Sequence, residues 1–128
     1  MLEAFVVFLV VATLLTAVFQ IAIVFGAPLG AYSYGGSSVG KLPTRFRIAS
    51  VASAGIMVAI AGHYLAQLGV FQPLLDSVGN AVVNWVLVGF FALAAVMNNI
   101  STSKKERMVW GATTILMFFA SLTVALSL

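Results

Sequence analysis

The chain contains no cysteine. Disulfides, thiolate nucleophiles, iron–sulfur clusters and cysteine-rich metal sites are therefore excluded. Charge is nearly as scarce: Asp, Glu, Lys and Arg make up 7% of 128 residues, and only three of them are acidic. A soluble domain averages about 25% charged residues, so these few cannot coat a water-exposed surface. One histidine, His63, is present, and a protein-only metal site normally needs more ligands than that. Glu3, Asp76 and Glu106 all fall at the ends of apolar runs or between them. No membrane-buried carboxylate is therefore expected. That argues against a proton-coupled transporter and against paired-carboxylate hydrolysis.

Apolar residues are what the chain has in abundance. They form 62% of it, and the mean hydropathy is +1.16. Segments at roughly 2–25, 47–69, 81–100 and 108–128 reach the length of about 20 mostly apolar residues that spans a bilayer. Inside lipid each backbone N–H and C=O must be satisfied within its own segment, so the spans are helices. Short connections make consecutive helices antiparallel neighbours. The expected fold is a single all-α integral membrane domain, an antiparallel bundle of four transmembrane helices, with the lipid bilayer as its main partner. The first span has no basic leader and no clean small-x-small site, so it reads as a retained span rather than a cleaved signal.

All six basic residues sit in or beside two of the connections: Lys41, Arg45 and Arg47 around the first, Lys104, Lys105 and Arg107 in the third. Cytoplasmic loops are enriched in Lys and Arg. This bias places the first and third connections in the cytoplasm and both termini on the extracytoplasmic side of a multi-pass cell-membrane protein. Its completeness predicts one fixed topology. Lys41, Lys104, Lys105 and Arg107 are expected at lipid headgroups. The pI of about 9.7 reflects this orientation, and no nucleic-acid partner is expected. Trp110 falls near the inner boundary and Trp85 near the outer one, as interfacial belts favour.

Gly35–Lys41 matches G-x-x-x-x-G-K by letter. A phosphate loop follows a strand and carries Ser or Thr after the Lys; here an apolar helix precedes it and Leu42 follows. No nucleotide is expected. The same connection is rich in Gly and bracketed by Pro28 and Pro43, yet apolar and aromatic. It is expected to lie at the membrane surface or dip back into the bundle.

Polar residues inside the spans recur at helical spacing. They should face the interior, because polar groups facing lipid go unsatisfied. They divide by depth. Gln20, Asn98 and Asn99 lie toward the inner end with Arg45 and Arg47, a candidate polar cavity. His63, Gln67 and Asn84 lie in the outer half, a candidate polar cluster. Ala52, Gly55, Ala59, Gly62, Ala66 and Gly69 recur at steps of three and four along the second span, a helix-packing seam. That seam suits close packing within one bundle or a homo-oligomer. No cofactor is expected. The functional expectation is a small non-enzymatic membrane protein, an accessory subunit of a larger membrane complex or a homo-oligomer. The alternative is a small channel or transporter for an apolar, weakly polar or anionic solute. A membrane enzyme, or a haem protein using His63, comes third.

Overall fold

Long apolar runs satisfy their backbones internally, and the result is four long helices. The computed structural model describes residues 2–36, 38 and 40–127. It shows α1 (Leu2–Val24), α2 (Thr44–Gln67), α3 (Ser77–Asn99) and α4 (Lys104–Leu126), each long and apolar enough to cross a membrane. No strand occurs among the described residues. Ser37 and Val39, both within the Gly35–Lys41 motif, lie outside them.

Helix ends explain why α3 and α4 each begin four residues before the apolar runs do. Asp76 caps α3 by accepting from Gly79 N–H at 2.7 Å. Ser103 caps α4 by accepting from Glu106 N–H at 3.2 Å. Such caps satisfy donors left free in a first helical turn, so polar loop residues join the helix. At its C-terminus α1 ends in a Schellman turn: Gly26, at φ 89°, donates to Ile23 O while Ala27 donates to Ala22 O, both at 3.0 Å. Gly69 closes α2 by the same pattern, its N–H on Ala66 O and that of Val70 on Leu65 O. Glycine favours the left-handed conformation such turns need. Arg47 then donates from Nε and Nη2 to the Val24 carbonyl at 3.1 and 2.8 Å, satisfying an orphan acceptor of α1.

Within α4 the stretch Arg107–Gly111 is a π turn. The wider winding displaces carbonyls from the regular ladder. Side chains collect two of them: Thr114 Oγ1 donates to Trp110 O at 2.6 Å, and Asn99 Nδ2 donates to Gly111 O at 3.1 Å.

The helices form an open arc in the order α2–α1–α4–α3. α1 packs on α2 and on α4, and α4 packs on α3, but α2 and α3 make no comparable backbone contact. One half of the concave side is filled by a packed core that includes Leu9, Ile60, Tyr64, Leu87, Phe91 and Val124. The other half lies toward the two basic connections and is hollow.

Those two connections meet. The first folds into short 3-10 turns at Gly30–Tyr32 and Tyr34–Gly36, tied by Gly30 N–H to Gly40 O at 2.8 Å. A Cβ at Gly30 would collide with the Ser38 and Gly40 carbonyls. Ser103 Oγ donates to the Ala31 carbonyl. The first connection is thus a folded cap seated on the start of α4.

Candidate functional site

Beneath this cap is a cavity of about 530 Å³ lined by all four helices. α1 contributes Thr16, Phe19 and Gln20, and α2 contributes Ser53 and Met57. Helical spacing brings Ala94, Met97 and Asn98 of α3 to the same space, and Glu106, Trp110 and Thr114 of α4. Tyr32 and Tyr34 of the cap close its end. The cap is held rigidly there. The Tyr34 ring stacks on Phe46 at 4.7 Å, and its hydroxyl donates to Phe46 O at 3.3 Å and lies 2.9 Å from Ser50 Oγ. Phe19 meets Trp110 edge to face at 4.9 Å.

Glu106 is the charged residue in this lining, buried although the sequence sets it between two apolar runs. It is only 6% exposed. Ser103 and Glu106 have the spacing of a capping box, in which the Glu side chain turns back to the cap residue's own N–H. Here Ser101 Oγ takes that N–H instead, at 3.2 Å. The Glu106 carboxylate is left to reach across to Gly35 N–H at 3.1 Å. The capping-box spacing was visible in the sequence; the swap of acceptors was not.

The inner group of polar residues divides. Gln20 and Asn98 line the cavity. The Gln20 Oε1 atom is buried with no hydrogen-bond partner among the described residues. Asn98 Nδ2 donates to Ala94 O at 2.7 Å, which leaves Oδ1 free to accept. Asn99 leaves by the other side of α3 to Ala95 O and Gly111 O. Arg45 is exposed, its guanidinium 4.8 Å from the centre of the Phe46 ring, and Arg47 is committed to Val24 O. Neither arginine lines the cavity, contrary to the grouping drawn from the sequence.

The outer group does come together. His63 Nε2 donates to Asn84 Oδ1 at 2.7 Å. Gln67 and Asn84 exchange two amide hydrogen bonds, at 3.1 and 2.9 Å, and Asn80 Nδ2 adds one to Gln67 Oε1 at 3.1 Å. Asn84 is 1% exposed. This network bridges α2 and α3 where their backbones do not touch, and it closes the arc at the end away from the cap. Core residues such as Ile60, Leu87 and Phe91 lie between it and the capped end along α2 and α3. Among the described residues no cluster of three His, Cys, Asp or Glu side chains gathers that could hold a metal ion.

The small-residue stripe does not pack within the chain. Ala52, Gly55, Ala59 and Gly69 are exposed, and Gly62 and Ala66 half-buried. Nothing lies within 4 Å of a Cβ built at Gly55 or Gly62. α2 turns a different face, with Ser50, Ala54, Ala61 and Tyr64, toward its neighbours. The remaining basic residues rim the cap. Lys41 and Lys104 are exposed, Lys105 Nζ sits 5.5 Å from the centre of the Tyr32 ring, and Arg107 donates to the Ser101 carbonyl.

Fold and site together define a class: a small all-helical protein with four span-like helices and a capped cavity at its basic end. No family model, curated protein or solved structure matches the chain.

Proposed function

We propose that this chain is a multi-pass membrane protein that binds a small, largely apolar molecule reversibly in the capped cavity, without enzymatic chemistry. The cavity carries this reading. Its volume of about 530 Å³ falls within the roughly 300–1,000 Å³ typical of small-molecule sites. Nine of its twenty lining residues are aromatic or Met, and polar side chains set among such apolar walls fix a ligand's orientation. The gap between α2 and α3 offers lateral entry from lipid. The core residues between the capped end and the outer network favour a binding site over an open channel. The basic end faces the cytoplasm in this reading, with the helices antiparallel, both termini outside, and the rim lysines and Arg107 at anionic headgroups.

A cysteine-free chain allows a clean test. Ser53→Cys, in the cavity, should react with N-ethylmaleimide in membranes, while Ser121→Cys, at a position 1% exposed in the packed interior, should not. Equal inertness of both would contradict an accessible cavity. With an impermeant maleimide on intact cells, Leu74→Cys should label and Lys41→Cys should not; the reverse would invert the topology.

The exposed stripe on α2 supports a second reading, compatible with the first. Small residues let membrane helices approach closely, so this face suits a second copy or a partner helix of a larger membrane complex.

A further inference from the structure

The cavity's polar groups point to one class of ligand. Glu106 is held in the lining with a single hydrogen bond to its carboxylate, from Gly35 N–H, and no ion-pair partner among the described residues. The basic side chains beside it in sequence are engaged elsewhere, Lys105 over the Tyr32 ring and Arg107 on the Ser101 carbonyl. A buried carboxylate without a cation is costly to keep. The N-terminus of α4 offsets part of that cost, and Gly35 another part. Gln20 and Asn98 line the same space, and the buried Gln20 Oε1 has no donor among the described residues. Phe19, Tyr32, Tyr34 and Trp110 line the same cavity. An ammonium group answers all of these at once. It supplies a positive charge to the carboxylate, N–H donors to the amide oxygens, and a cation to the aromatic rings.

We infer that the cavity takes a lipophilic amine in its protonated form, with Glu106 as counter-ion, Gln20 and Asn98 as further acceptors of its N–H groups, and the aromatic walls around its apolar body. This rests on the proposed binding role and names its ligand class. A cationic ligand lies outside the apolar, weakly polar or anionic solutes that the sequence suggested for a channel or transporter.

Three probes of one shape separate charge from shape: 3,3-diphenylpropylammonium, its neutral isostere 1,1-diphenylbutane, and the anion 4,4-diphenylbutanoate. Binding is read from Trp110 fluorescence in a Trp85→Phe protein in lipid nanodiscs, with Ala94→Phe as a filled-cavity control for partition into lipid. The ammonium should bind saturably and about tenfold or more tighter than the isostere, the anion weakest, a gap fitting one desolvated charge contact. Glu106→Gln keeps an acceptor for Gly35 N–H and should erase the preference for the ammonium while leaving isostere binding unchanged. Retained helix content and retained isostere binding in that variant show that the cavity is intact. If the isostere binds as tightly as the ammonium, or Glu106→Gln leaves the preference untouched, the amine inference is overturned and the binding role stands. If no probe binds more to the parent than to Ala94→Phe, the binding role itself falls.

Discussion

Glu106 and Gly35 lie 71 positions apart in sequence, yet the carboxylate of one accepts from the backbone N–H of the other at 3.1 Å. This bond crosses from the start of α4 to the cap, and with Ser103 on the Ala31 carbonyl it joins the two basic connections. Loss of the acceptor in Glu106→Ala should loosen the cap, whereas Glu106→Gln should not. Chymotrypsin cleavage after Tyr34, whose ring is otherwise held against Phe46, reports the difference. One lost hydrogen bond of about 1 kcal/mol corresponds to roughly fivefold faster cleavage in the Ala variant. Equal rates in the Ala variant and the parent would show that the cap is held by other contacts.

Asn84 is the hub that closes the far end of the arc. Its side chain exchanges three hydrogen bonds with His63 and Gln67, while Asn80 makes one, to Gln67. At about 0.6 kcal/mol per interhelical bond in a membrane, Asn84→Leu should cost roughly 2 kcal/mol and Asn80→Leu roughly 0.6 in denaturant titration of the detergent-solubilised protein. Similar losses for the two would mean that the network does not depend on its hub.

Tyr64 sits in the packed half at 0% exposure, and its hydroxyl has no partner. An unsatisfied buried hydroxyl is destabilising, and removing it leaves the ring packing intact. Tyr64→Phe should therefore be neutral or stabilising, by up to about 1 kcal/mol. A loss of that size instead would reveal a partner for the hydroxyl.

The bare face of α2 separates a lone chain from an assembly. Gly62 has open space where a Cβ would go, so an isolated protomer should accept Gly62→Leu with little change in melting temperature. If that face is a seam between copies, the same change should shift the protein toward monomer in nanodiscs, counted by subunit photobleaching. An unchanged subunit number would leave the stripe facing lipid.

The four helices were legible in the sequence because hydropathy and length suffice to show them. The starts of α3 and α4 were not, because Asp76 and Ser103 recruit polar residues into them. Depth grouped His63, Gln67 and Asn84, and the three are hydrogen-bonded together. Depth also grouped Gln20 with Asn98, and both line the cavity. It placed Arg45, Arg47 and Asn99 there too, since sequence gives depth but not direction. Arg47 was needed at the end of α1, and Asn99 at the π turn. Glu106 was set aside as a loop residue. Its burial comes from a cap formed by residues some 70 positions away, a contact no local pattern encodes. The stripe of small residues runs along α2 only as far as Ala66, because Gly69 lies in the turn that closes the helix, and only the packing of α2 shows that its face points outward.

The most direct test of the cavity as a binding site is its stoichiometry. Equilibrium dialysis of 3,3-diphenylpropylammonium against the protein in nanodiscs, with empty nanodiscs subtracted, should saturate near one molecule per chain. The same measurement on Ala94→Phe, folded by circular dichroism, should fall by at least about tenfold in affinity. Uptake that rises linearly without saturation, and equally in both proteins, would contradict a binding site between α2 and α3.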